Sequence, residues 1–413
     1  MQEVLLKKIV GKQPWSGVLL LRHLGLRPSS NMHLHVVSFD IPWPANYGGV
    51  MVVFHQLRAL HRLGARIVLH SFEYGGRTPQ PILEEYCEAV HYYPRSRSLW
   101  QQVSIEPFIV RTRKSGTLLH RLLQDEYPIL FEGLHTAGWL AHEALRKRHK
   151  IVRMHNIEWQ YYRQLAQSAP SLTQRLFFEM ESLRLRRAEA RLLPFADDVL
   201  ALSPSERDYF ARYPVRTHYL PAFHPYDAVC SLPGSGQYAL FHGKCSVPDN
   251  ERAALWLIED VFAGLPVPLV VAGMAPSARL RTAAARQPNV RLVADPDNAQ
   301  MEALIRQAHV HLLYSFQSAG VKLKLLQALF GGRHCVANDY ALAGTALHPL
   351  CVRANTAAET RHAVLSLMAQ PFKESDIAHR RAVLEAHYSN EHNARLLLAI
   401  VAGLYEPSTA ERV

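Results

Sequence analysis

Long apolar runs are missing from this sequence. The nearest candidate, Gly17 to Leu21, is cut off by Arg22 and His23, well short of the roughly 20 apolar residues that cross a bilayer as a helix, so a membrane span is not expected. Cysteine is scarce. Cys87, Cys230, Cys245, Cys335 and Cys351 stand singly, an odd number with no CxxC pair and no metal-like spacing; this excludes a disulfide scaffold and reads as free thiols in a cytoplasmic protein. Acidic residues are outnumbered, 35 against 46 Lys and Arg, for a net charge of +11. That field favours anionic partners: phosphate-bearing small molecules, nucleic acid or anionic lipid. Core-forming residues are present in full measure. The chain has 413 residues, 48% apolar and 20% charged, which excludes wholesale disorder and, at about 100 to 200 residues per domain, suggests two or three domains.

Residues 1–31 carry five Lys/Arg against the single Glu3. They read either as a basic arm for a membrane surface or as the product of an upstream start codon chosen in error. The apolar patch after Pro14 lacks a small-residue cleavage site, so secretion is not expected. From Leu34 onward strand and helix alternate: strand Leu34 to Phe39, a Pro/Gly-rich loop, helix Val50 to Leu63, strand Arg66 to Phe72, then strand-like runs at Pro128, Lys150, Asp198 and Thr217. This predicts an α/β, doubly wound parallel sheet. Periodicity breaks at Pro221 to Gln237, where three Pro and two Gly cluster, and a second alternating half follows with strands near Tyr238, Pro268, Val290, His309 and His334. Two such sheets facing each other predict a ligand cleft beyond the carboxyl ends of their strands.

Several constellations lie where that cleft would be. Gly48-Gly49 directly precede a helix, which suits either a phosphate or a plain tight turn. His135, in Glu132-Gly-Leu-His135, and His155, in Arg153-Met-His155, each follow a strand end, where an imidazole orients a hydroxyl, stabilises charge, acts as a base or simply supports the fold. The helix Ser171 to Leu193 interleaves Arg175, Arg184, Arg186, Arg187 and Arg191 with leucines, as a lipid-facing or a solvated face would. Asp295-Pro-Asp297 imitates an acidic metal-holding motif but sits where turn and N-cap residues are ordinary. The pairs His33/His35 and His309/His311 lack a third ligand for zinc. Lys322 and Lys324 occupy the first turn of a helix, where cations oppose the macrodipole unless an anion sits there.

Gly320-Val-Lys-Leu-Lys-Leu-Leu-Gln-Ala328, followed by Gly331-Gly-Arg-His-Cys-Val-Ala337, resembles the donor-site motif of the family 4 glycosyltransferases. Gly48-Gly49, the segment Ala188-Glu189 to Ser203, Phe241-His-Gly243 with Asn250, and Val271-Ala-Gly273 resemble the family's other landmarks in order. The resemblance, over about Met32 to Tyr405, implies the GT-B fold: an acceptor-side Rossmann-like domain at 32–222, a linker at 223–237, a donor-nucleotide domain at 238–388 and a C-terminal helix within 389–413 that crosses back. It implies transfer from a nucleotide-diphosphate sugar to a glycan or lipid-linked acceptor, retaining and with no required metal or other cofactor, in polysaccharide biosynthesis. Nucleic acid is not expected as a partner, whereas an anionic inner membrane face is.

The implied donor contacts are Gly48, Gly49, Gly243, Lys244, Val293, Ala294, Gly320, Lys322 and Gln327. Lys322 meets the diphosphate, Gln327 the ribose, and Val293-Ala294 the base. His135 matches the histidine beside the transferred sugar, with His155 as the competitor. Gln327 and Ala319 stand where the family carries acidic residues. This leaves open a GT-B protein that has lost catalysis and acts as a binding or regulatory partner, and a nucleotide-sugar epimerase on the same fold.

Overall fold

A computed structural model describes residues 32–96, 104–167, 169, 171–317 and 323–405. Expectations for residues 1–31, Ala319, Gly320 and Lys322 lie outside the described residues. The first half is a seven-stranded sheet in the order β3-β2-β1-β4-β5-β6-β7, formed by β1 (His33–Ser38), β2 (Arg66–Glu73), β3 (Ala89–Pro94), β4 (Ile129–Glu132), β5 (Lys150–Arg153), β6 (Asp198–Ala201) and β7 (Arg216–Tyr219). The second half orders β8 (Ala239–His242), β9 (Leu269–Gly273), β10 (Val290–Ala294), β11 (Val310–Leu313), β12 (His334–Ala337) and β13 (Val352–Arg353) as β10-β9-β8-β11-β12-β13. Every pairing between these strands is parallel. Their central strands read as near-continuous apolar runs because helices cover both faces; Leu34, Val36 and Val37 of β1 are fully buried.

In both sheets the strand order reverses beside the first strand, between β1 and β4 and between β8 and β11. Helices on the two sides of such a point leave in opposite directions, opening a crevice at the carboxyl ends. The two halves also share packing: Val52 and Leu202 of the first are buried in one cluster with Leu325, Leu326 and Leu329 of the second.

The last helix, Asn390–Val401, buries Leu397, Leu398, Ile400 and Val401 in the core of the first half beside Leu34, Leu57 and Leu60. At about 1.5 to 3 kcal/mol for each large aliphatic chain removed from water, this burial anchors the last helix to the first half. The chain therefore passes between the halves twice, and the two passages are tied together. Asn390 Oδ1 accepts from the His224 backbone N–H (3.1 Å), Asn390 Nδ2 donates to His224 O (2.7 Å), and His224 Nε2 donates to Tyr388 O (2.7 Å).

Candidate functional site

At the end of β1 the chain turns through Asp40, whose carboxylate accepts from Tyr47 Oη and from the Ile41 N–H (2.8 Å). Arg77 braces this loop by donating to Ile41 O (2.8 Å) and Pro44 O (2.9 Å). The loop delivers Gly48 and Gly49 to the start of the helix Gly48–Arg62, whose N-terminus has no side-chain cap and no acid in its first turn. Its leading N–H groups are thus available to an anion. Gly49 is forced by packing, since a Cβ there would stand 2.6 Å from Phe39 Cζ. A Cβ on Gly48 would lie 3.6 Å from Leu323 Cδ1, so the glycine turn faces the described start of the helix Leu323–Gly331 across the cleft.

The Phe39 ring carries both candidate histidines, with centroids 5.4 Å from His135 and 5.3 Å from His155. They differ in how firmly they are held. His155 Nε2 donates to Glu132 Oε2 (2.8 Å), and Glu132 Oε1 accepts from Gln56 Nε2 (2.6 Å). Gln56 Oε1 accepts from Arg153 Nη1, and Arg153 Nη2 donates to Pro221 O (2.9 Å). Glu132, Gln56 and Arg153 are fully buried, so His155 is one end of a closed polar chain.

His135 is about one-fifth exposed and its Nδ1 has no hydrogen bond; the nearest acid, Glu158 Oε1, is 3.9 Å away, too far to be one. Burial first, then Arg113, His155 and Arg95, holds the His135 pKa well below the usual value, so the ring is neutral near pH 7. Burial, with Glu189 and Glu206 nearby, pushes the Glu158 carboxyl up to about 8. A neutral imidazole thus faces a neutral carboxyl, and no ion pair joins them.

In the second half Gly243 and Lys244 follow β8. Gly273 approaches so closely that a Cβ there would fall 1.8 Å from Gly243 O. Lys244 Nζ lies 5.6 Å from the Tyr47 ring centroid, reaching towards the glycine loop of the other half. Gln327 also points across, its Nε2 4.0 Å from Met51 Sδ. Val293 and Ala294 end β10, half-buried. Lys324, which sequence reasoning pairs with Lys322 against an anion, donates instead to Tyr314 O (2.6 Å) and Asn250 Oδ1 (3.2 Å). Its opposition to the helix dipole is answered by protein oxygens.

Asp297 caps the helix Asn298–Gln307 with Gln300 completing a capping box, and Asp295 accepts from the Ala275 N–H (2.7 Å). Among the described residues no three His, Cys, Asp or Glu side chains are grouped to hold a metal ion, and no helix is long and apolar enough to cross a membrane.

Four contributors escaped sequence reasoning: Phe39, Arg113, Glu158 and Asp249. Asp249 is buried and accepts from Ser315 Oγ (2.6 Å) and the Phe316 N–H (2.8 Å), fixing the loop that leads to the lysine motif. Its only sequence signal is an acid in a helix's first turn, which is commonplace.

No protein-family model matches the chain. An uncharacterized 44.6 kDa protein in the cps region of Klebsiella pneumoniae is 25% identical over 334 residues, spanning 75% of this chain and 84% of that protein. Among solved structures, sucrose-phosphate synthase from Thermosynechococcus elongatus is similar with a TM-score of 0.63 at 14% identity, over 90% of this chain and 99% of that one. HepE of Anabaena, in complex with UDP and glucose, gives 0.61 at 13% identity over 90% and 100%. The α,α-trehalose 6-phosphate synthase of Burkholderia multivorans gives 0.61 at 12% identity over 90% and 99%. At such identities the likeness is one of fold, and the fold is GT-B: two Rossmann-like halves facing a cleft.

Proposed function

We propose that this chain transfers a sugar from a nucleotide-diphosphate sugar to a hydroxyl of a glycan or lipid-linked acceptor. The observation that carries the reading is the meeting, across the cleft, of an uncapped glycine-led helix N-terminus with the helix of the lysine motif, Gly48 against Leu323. The HepE structure holds UDP and glucose, which supports a donor of that chemistry here. Departure of a nucleotide diphosphate builds negative charge, and N–H groups and lysines aimed at it lower the barrier. Gly48, Gly49, Lys244 and Lys322 are the groups assigned to that work, in a retaining reaction that requires no metal or further cofactor. Gln327 is assigned to the ribose, Gly243 and Gly320 to backbone approach, Val293-Ala294 to the base, and His135 to the transferred sugar or acceptor hydroxyl.

A panel of nucleotide sugars tests the reading through thermal shift and release of free nucleotide diphosphate, since donor binding stabilises only the native state. With the best donor, Lys322→Ala is expected to weaken binding by roughly 1.5 to 3 kcal/mol, the range for hydrogen bonds to charged groups. Gln327→Glu should bind at least as well as the parent, because a carboxylate accepts from ribose hydroxyls. Calorimetric titration checks both, and unchanged affinity for Lys322→Ala would remove the donor-site assignment.

The acceptor reading extends to a surface. On the helix Leu172–Leu192, Leu172 (83% exposed), Leu176 (63%) and Leu183 (58%) form an outward stripe, and helical spacing sets Arg175, Arg186, Arg187 and Arg191 beside it. We assign this face to an anionic bilayer, where aliphatic chains enter the interface and arginines meet headgroups. Flotation with anionic vesicles should carry the protein at low salt and release it as salt rises; equal behaviour with neutral vesicles would remove the assignment.

A further inference from the structure

Arg113 is 4% exposed. Its Nε donates to Phe39 O (2.8 Å) and its Nη1 to Ile109 O (3.0 Å), which fixes the guanidinium at the end of β1. Nη2 has no acceptor among the described residues. Asp40, the carboxylate that favours its charged form, is shared with a second arginine. Asp40 is engaged by Tyr47 and lies 3.6 Å from Arg77, while Glu158 stays protonated up to about pH 8.

A second cation stands beside it. Arg95 Cζ lies 4.4 Å and Arg113 Cζ 5.6 Å from the same Tyr74 ring centroid. Arg95 Nε is spent on Thr112 Oγ1 (2.9 Å). Burial first, and Arg95 second, depress the Arg113 pKa to about 10. Arg113 is tied to the backbone of Phe39, whose ring carries His135, so the pair stands beside the proposed transfer point. Two arginines thus stand around one ring, and the buried one shares its carboxylate, Asp40, with Arg77.

We propose that Arg113 and Arg95 form an anion subsite on the acceptor side of the cleft, and that the acceptor carries a carboxylate or phosphate close to the hydroxyl that is glycosylated. The inference rests on the transferase reading for the word acceptor; the subsite stands on its own geometry. The Nη2 N–H groups of Arg113 and the guanidinium of Arg95 supply charge-assisted donors suited to either oxyanion.

The test titrates glucuronate, α-glucose 1-phosphate and glucose into the full chain without donor. Wild-type protein should bind one or both anions at least tenfold tighter than glucose. Arg113→Gln disturbs a buried support of Phe39, so Arg95→Gln, which is half-buried, carries the decision; it should reduce that margin at least tenfold while thermal unfolding stays cooperative. Which anion gains separates a carboxylate from a phosphate. Equal binding of all three probes, or an unchanged margin in Arg95→Gln, overturns the subsite. Nucleotide-sugar titrations of the same preparation report separately on the donor: with none bound the transferase reading fails, and the anion margin still decides the subsite.

Discussion

Replacing Glu132 by alanine is expected to destabilise the protein by about 3 to 5 kcal/mol, the cost of breaking a buried ionic and hydrogen-bonded cluster by removing one partner. The magnitude follows from what is left behind. His155 Nε2 and Gln56 Nε2 both lose their acceptor, and fully buried Arg153 loses the nearby carboxylate that favours its charged form. Desolvated groups of this kind each cost about 1 to 3 kcal/mol when left unsatisfied. Glu132→Gln retains an acceptor oxygen and should lose distinctly less. Denaturant unfolding of the three proteins checks the order, and a loss under about 1 kcal/mol for alanine would mean that water reaches the cluster.

His135→Ala is expected to lower the transfer rate about 10²- to 10⁴-fold, the span associated with a positioned proton-transfer group, with little change in donor affinity. His155 shares the Phe39 ring but is bound into the Glu132 cluster, so His155→Ala should show its loss mainly as stability. The pH profile gives a second readout. Because burial and the neighbouring arginines hold His135 below the ordinary histidine value, the neutral ring persists through the range where an exposed histidine gains its proton. The rate should therefore stay level as pH falls through about 6.5, the ordinary histidine value. A fall centred there, or a fully active His135→Ala enzyme, hands the role to His155 or to neither.

The two sheets were legible because parallel strands buried on both faces leave apolar runs: β1 lies within one residue of its sequence-based bounds, and β9 and β11 begin within one residue of Pro268 and His309. Edge strands β3 and β13 were not. Ala89–Pro94 is half-exposed and Val352–Arg353 spans two residues, so neither needs an apolar run. The same logic divides the site. Gly48, Gly49 and His135 follow strand ends, a position that sequence exposes. Arg113 and Glu158 come close to Phe39 and His135 through tertiary packing, from a loop and from a helix start, and their chemistry depends on burial rather than on neighbours in sequence. Lys324 shows the converse: an unfavourable helix position implied a ligand, and the tertiary fold supplied Tyr314 O and Asn250 instead.

The paired passage of the chain between the halves, tied at His224 and Asn390, joins them at two adjacent points. A body held by one flexible strand can swing and twist about three axes, whereas one held by two adjacent strands retains chiefly the rotation about the line through them. Any relative movement of the halves is thereby restricted chiefly to that rotation. A ligand that bridges Lys244 and Tyr47 need order only that angle, so closure costs it less entropy than would the capture of two freely tumbling halves.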